Sequence, residues 1–87
     1  MTTLTDDLTT QAPALQAGTP VRLAAAAPGL WRVLDARGLI IGHLESLRLR
    51  QGVRYRARRF HSASRTFRDL GDFWSPDDAV DCLRFAR

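Results

Sequence analysis

The chain has 87 residues, with 13 Lys or Arg, nine Asp or Glu and a formal net charge of +4 at pH 7. This length allows one small domain with a limited core, because domains near 60 residues bury only about 60% of the surface that the unfolded chain exposes. A deep substrate cleft is not expected, and the sequence offers no nucleophile with its base and no phosphate-binding loop. We therefore expect a binding protein, not an enzyme, with no cofactor.

All 13 basic residues are arginine. A GC-rich genome produces the same bias, and composition alone does not separate that explanation from a functional one. In either case the guanidinium group is a bidentate donor for phosphate and for guanine edges. The basic surface is therefore suited to a polyanion.

Cysteine and histidine are too few for a disulfide or a metal site. Cys82 is the one cysteine, and His43 and His61 have no cysteine pair with which to form a ligand set. The apolar stretch 23–28 is too short and too rich in alanine to predict a signal peptide or a membrane helix. These features favour a protein of the reducing cytoplasm that binds neither a metal ion nor a membrane.

The composition divides the chain into two parts. Residues 1–29 contain three prolines, few charges and many Thr and Ala, which is typical of a flexible, disordered N-terminal arm. Residues 30–87 contain 12 arginines and seven acidic residues, a net charge of +5. We predict that this second part is the folded domain.

Short apolar runs separated by turn residues predict an antiparallel β-meander from residue 30 onward. Strands are expected at residues 30–34, 39–44 and 53–60. Residues 65–70 form a fourth strand or a short extension in this interpretation. A turn is predicted between the first two strands, because Asp35 can accept backbone hydrogen bonds and Gly38 can adopt a positive φ.

The last segment predicts a helix that ends near Arg87. Ser75 suits the N-cap and Pro76 the first helical position, and two aspartates complement the positive helix terminus. Apolar residues at i, i+3, i+4 and i+7 form one stripe, which is Ala79, Cys82, Leu83 and Ala86. The predicted fold is α+β, with a meander of three or possibly four strands packed on one C-terminal helix.

Arginine is concentrated in the third predicted strand and its surroundings, with no acidic residue between positions 46 and 67. Arg54, Arg56 and Arg58 alternate with apolar or aromatic residues, so the strand has one basic and one apolar face. The apolar face is expected to pack on the helix, which leaves the basic face open. Arg48 and Arg50 are expected to widen this patch. A face that serves only solubility usually mixes both signs of charge, and the lack of acidic residues therefore favours polyanion binding.

Aromatic and further basic residues complete the candidate site. Phe60 has the parity of the arginines and is a candidate for stacking on an unpaired base, and His61 is a candidate phosphate contact. The full expected nucleic-acid-binding set is Arg48, Arg50, Arg54, Arg56, Arg58, Arg59, Phe60, His61 and Arg65.

Three short elements of the chain resemble the AP2/integrase-type (arm-binding-like) DNA-binding domain. They are Tyr55-Arg56-Ala57-Arg58, Leu70-Gly71-Asp72-Phe73 and Ser75-Pro76-Asp77-Asp78-Ala79-Val80. The resemblance implies a three-stranded antiparallel sheet on one helix, with the sheet in the major groove. It implies DNA contacts from the outward strand arginines and structural roles for Leu70, Gly71, Phe73, Ala79 and Leu83. It gives no role to Trp74.

The leading hypothesis is a small DNA-binding protein with a regulatory or accessory role, whose affinity comes from phosphate contacts. RNA recognition is a variant of the same hypothesis. The alternative is a protein–protein interaction module that docks an acidic partner through an open sheet edge or the helix. The sequence leaves both hypotheses and the oligomeric state open.

Overall fold

The computed structural model describes residues 11–85, which form an α+β fold with a five-stranded antiparallel sheet and a C-terminal helix. The elements are β1 (Arg22–Ala27), β2 (Leu30–Leu34), β3 (Ile40–Leu49), β4 (Gly52–His61), β5 (Thr66–Phe73) and α1 (Pro76–Phe85). The strands lie in the sheet in chain order, so each pairs with the next. Within residues 11–85, no helix is long and apolar enough to cross a membrane.

The predicted α+β class with a C-terminal helix is confirmed, but the predicted strand number of three or four is wrong. The expected fourth strand is β5. The fifth strand is β1, which the sequence placed in the flexible arm because its four alanines have low strand propensity and no period-2 pattern. Pairing with β2, from Arg22 opposite Leu34 to Ala27 opposite Leu30, forms this strand. Residues 1–10 of the expected arm lie outside the described residues.

The segment before β1 also contacts the domain. Leu15 and Val21 pack against the core. The backbone N–H of Gln16 donates to the carboxylate of Asp77 at 2.8 Å. The segment 11–21 is therefore attached both to the core and to the first turn of α1.

Two predicted local structures are confirmed. The Asp35 carboxylate accepts hydrogen bonds from the backbone N–H groups of Arg37 and Leu39, each at 2.9 Å, and Gly38 has a φ of +84°. At the start of α1, Ser75 Oγ accepts hydrogen bonds from the N–H groups of residues 77 and 78 at 3.1 and 3.4 Å. The predicted helix end, including Ala86 and Arg87, lies outside the described residues.

The core lies between α1 and one face of the sheet. Its fully buried side chains come from β2, β3, β4 and α1, and they are Val33, Leu44, Ala57, Ala79, Val80 and Leu83. Strand residues that alternate with these point away from α1. We call that side of the sheet the open face.

Three bulges interrupt the ladders of the described strands, and the first is at Ala26 of β1, between the pairs of Ala25 with Trp31 and Ala27 with Leu30. Val33 pairs with Gly42 and Leu34 with Ile40, so Ile41 is an extra residue in β3. Ala57 pairs with Gly71 and Arg58 with Asp69, so Leu70 is an extra residue in β5. Each bulge adds one residue to its strand, so the alternation of side chains between the two faces of the sheet is shifted by one position beyond it.

Candidate nucleic-acid interface

Arg54, Arg56 and Arg58 leave β4 on the open face, as their spacing of two residues predicts. We call these three side chains the arginine row. Leu47, Glu45 and His43 of β3 lie opposite them in that order. On the other side, Asp72 of β5 lies opposite Arg56, and Asp69 lies opposite Arg58.

Arg56 and Arg58 form ion pairs with these carboxylates. Arg56 donates from Nε to Asp72 Oδ1 at 2.7 Å and from Nη2 to Oδ2 at 3.1 Å. Arg58 donates from Nε to Asp69 Oδ1 at 2.9 Å, and its Nη1 lies 4.0 Å from Glu45 Oε1. The hydrogen bond from Arg56 lowers the pKa of the Asp72 carboxyl, and the same bond raises the pKa of Arg56.

The expectation of a row without acidic partners is therefore wrong. The partners belong to β3 and β5, outside residues 46–67, and antiparallel pairing brings them beside the row. Among the described strand residues, the open face has five arginines, Arg22, Arg32, Arg54, Arg56 and Arg58, and three acidic residues, Glu45, Asp69 and Asp72. Five positive and three negative charges leave a net charge of +2.

The ion pairs fix the row without using all of its donors. The carboxylates take Nε of Arg56 and Arg58 and one further nitrogen of Arg56. These hydrogen bonds to the carboxylates do not use Nη1 of Arg56 or Nη2 of Arg58. The two side chains are 32% and 33% exposed. Each guanidinium group therefore keeps donors for a ligand while its orientation is fixed.

Arg54 is held by a different contact. Its Nη2 donates to the backbone carbonyl of Asp72 at 2.6 Å, and its Cζ lies 4.7 Å from the centre of the Trp74 ring. Its Nε is buried and has no hydrogen-bond partner in the described part of the chain. Trp74 is 58% exposed. Trp74 thus supports the end of the row, a role for which the sequence gives only the weak signal of an aromatic residue after Phe73.

The structure separates the other predicted arginines from the row. Arg48 pairs with Val53 and therefore leaves β3 on the side of α1, so the expectation that it widens the patch is wrong. Arg50 is exposed in the turn between β3 and β4, directly after the end of β3. Arg59 also lies on the side of α1, where its Nη2 donates to the Leu83 carbonyl in the last turn of the helix. Such a contact stabilises the negative end of a helix.

The last two predicted residues lie in or next to the turn between β4 and β5. His61 shares a hydrogen bond of 2.8 Å between its Nδ1 and Ser64 Oγ. Arg65 is exposed and has a φ of +56°. Both residues are beyond the end of the arginine row.

Phe60 continues the row towards this turn and belongs to a group of three rings. Its ring meets Phe67 edge-on with centroids 5.3 Å apart, and Phe67 stacks on His43 at 4.5 Å. Burial lowers the pKa of His43, and the charges of Arg32 and Arg58 lower it further. We call His43, Phe60 and Phe67 the aromatic cluster.

In residues 11–85, no three His, Cys, Asp or Glu side chains are grouped so that they could hold a metal ion. Comparison with protein-family models, curated proteins and solved structures found no match to the chain. Function is therefore inferred from the geometry of the open face.

Proposed function

We propose that this protein binds DNA through the open face of its sheet, in a regulatory or accessory role. The observation that supports the proposal is the arginine row, which lies on a face that no other element of residues 11–85 covers, with each guanidinium group held by a neighbour. Side chains that are already ordered lose less conformational entropy on binding. A fixed guanidinium group is also a specific donor, because its planar fork matches phosphate oxygens and the guanine edge.

The spacing of the row suits a groove. Side chains two residues apart on a strand are about 6.6 to 6.8 Å apart, and β-ribbon proteins place such rows in a DNA groove. Phosphate contacts supply affinity and orientation, and contacts to base edges supply specificity. Asp69 and Asp72 orient the row in this mechanism, and the outer nitrogens of Arg56 and Arg58 contact the DNA.

The ion pairs set the expected salt dependence. Six neutralised phosphates would give a slope of log affinity against log salt of about −5. The open face has a net charge of only +2, so we expect about two neutralised phosphates and a slope of about −2. The binding should therefore be moderate in affinity and less sensitive to salt than binding that neutralises six phosphates.

A salt titration with matched variants tests the proposal. The affinity for a duplex oligonucleotide is measured by fluorescence anisotropy at several salt concentrations, and replacement of all three row arginines by alanine should weaken binding and flatten the slope. The control replaces Arg37, Arg48 and Arg68, which are exposed, lie off the open face and lower the net charge equally. Absence of binding at low salt, or equal effects of the two triple variants, would contradict the proposal.

A protein partner is the second candidate, because the open face also exposes apolar side chains. These are Ile40, Phe60, Phe67 and Trp74. Aromatic residues and arginine are enriched in protein interfaces, and net charge is depleted at their centres. Protein binding replaces DNA binding as the proposed function if the protein does not bind duplex DNA, single-stranded DNA or RNA at low salt and co-purifies with one stoichiometric protein.

A further inference from the structure

The ladder between β3 and β4 ends before the two strands end. Its last pair is His43 and Arg58. Beyond this pair, Ile40 and Gly42 pair with β2 and residues 59–61 pair with β5. The sheet therefore forks into two branches at this end.

Both branches of the fork contact the helix. The bulge at Ile41 bends β3, and Gly42 lies against Leu83 of α1. A Cβ atom at Gly42 would overlap the Leu83 side chain and lie 2.6 Å from the Arg58 carbonyl oxygen. On the other branch, Arg59 is hydrogen-bonded to the Leu83 carbonyl. Both branches thus contact Leu83 of α1.

The fork contains a cleft of about 560 Å³. The β3 branch lines one side with residues 40–43, and the other branch contributes Arg59, Phe60 and Phe67. The most exposed lining side chains are Ile40 at 58% and Phe60 at 51%. A volume of this size is within the range of small-molecule sites, which is about 300 to 1,000 Å³.

Arginine side chains line and adjoin the cleft, and the ion pair of Arg58 with Asp69 offsets one of their charges. Arg59 lines it, Arg58 lies 5.5 Å from the Phe67 ring, and Arg32 lowers the pKa of His43. No carboxylate is among the described residues that line it. Apolar and aromatic walls with neighbouring arginines complement a flat aromatic ring that is attached to a negatively charged group.

We infer that this cleft binds an unpaired base of DNA next to a duplex that lies on the arginine row. The inference rests on the proposed function. Phe60 is on the same face as Arg58 and two residues further along β4, about 6.6 to 6.8 Å away. A strand that follows the row therefore reaches the cleft with its next nucleotides, and stacking accepts any base because every base has a π-face.

The test compares a blunt duplex with the same duplex carrying a short single-stranded overhang. The first unpaired position of the overhang is 2-aminopurine, whose fluorescence is quenched by stacking. The wild-type protein should bind the overhang about tenfold more tightly than the blunt duplex and quench the 2-aminopurine. Phe60→Ala should abolish both effects and should weaken binding of the overhang much more than binding of the blunt duplex.

Two further variants make the result specific to the cleft. Phe85→Ala removes another exposed phenylalanine that lies at the end of α1 and outside the cleft, and it should behave like the wild type. Ile40→Glu places a carboxylate on the wall and should reduce binding of the overhang more than binding of the blunt duplex.

The outcomes separate this inference from the proposed function. Equal affinities for overhang and blunt duplex, with no effect of Phe60→Ala, overturn the inference and leave duplex binding in place. If the wild-type protein binds neither the blunt duplex nor the overhang, the proposed function is overturned. Binding of an acidic peptide with an aromatic residue in the cleft, more tightly than the overhang and with the same loss in Phe60→Ala, assigns the cleft to a protein partner and also overturns the inference.

Discussion

Asp69 and Asp72 lie on the same face of β5 although their positions differ by three, because the bulge at Leu70 adds one residue between them. Residues three apart in a regular strand point to opposite faces. The bulge therefore supplies Arg58 and Arg56 with one carboxylate each. The arginine row has no acidic residue near it in the sequence, but the fold gives two of its three members an ion-pair partner.

Replacement of Asp72 by asparagine should strengthen non-specific DNA binding. The variant removes the negative charge that offsets Arg56, so the affinity should rise at low salt and the salt slope should become steeper by about one. Anisotropy titrations at several salt concentrations measure both effects. Asp81→Asn is the matched control, because Asp81 pairs with Arg84 at 3.4 Å on α1, away from the open face. Equal affinities of Asp72→Asn and the wild type would mean that Arg56 does not contact DNA.

Gly42→Ala should destabilise the protein by about 1 to 3 kcal/mol. The added methyl group would overlap Leu83 and lie 2.6 Å from a backbone oxygen, which cannot move without disturbing β4. The change is measured as a lower urea midpoint, with the slope m as a check on the denatured state. An unchanged midpoint would show that Leu83 and the backbone of β4 accommodate the added methyl group.

The stability should decrease as the pH falls below about 6.5, which is the ordinary pKa of histidine. Burial and then the charges of Arg32 and Arg58 lower the pKa of His43 in the folded state. Below pH 6.5 the unfolded state therefore binds more protons than the folded state, and stability is lost until the pH passes the folded pKa. Thermal melts from pH 8 to pH 5 measure this window. His43→Gln should reduce the pH dependence of the melting temperature in this range. A variant with the wild-type pH dependence would contradict the assignment of the effect to His43.

A second loss of stability should occur in stronger acid. The hydrogen bond from Arg56 lowers the pKa of Asp72 in the folded state. The stabilisation from this carboxylate is complete above the ordinary aspartate pKa of about 3.9 and is lost as the pH falls through the folded value. Chemical denaturation between pH 5 and pH 2 should show a smaller loss for Asp72→Asn than for the wild type. An identical acid profile in both proteins would exclude this carboxylate as a contributor.

Local patterns predicted the parts of the fold that depend on neighbouring residues. The alternation of Arg54, Arg56 and Arg58 placed them on one face, and the Asp35 turn and the Ser75 N-cap have the predicted hydrogen bonds. The strand β1 was missed because alanine favours no strand, and only the pairing with β2 makes these residues extended. Sequence patterns detect local geometry and not the pairing partner.

The chemistry of the site depended on such distant pairing. Asp72 is 16 residues from Arg56 in sequence and becomes its partner only through the register of β4 with β5. Arg48 was placed on the wrong face because its parity was judged without the register that puts it opposite Val53. A bulge changes the parity of every residue beyond it, so no count along a single strand finds Asp69 and Asp72 together.

The contact between Arg54 and Trp74 also provides an intrinsic optical signal. The chain contains two tryptophans, of which Trp31 is 2% exposed and Trp74 is 58% exposed. Acrylamide therefore quenches mainly Trp74, and a ligand that displaces or covers Arg54 changes the emission of that same indole. Occupation of the row can be followed from the fluorescence of the unlabelled protein.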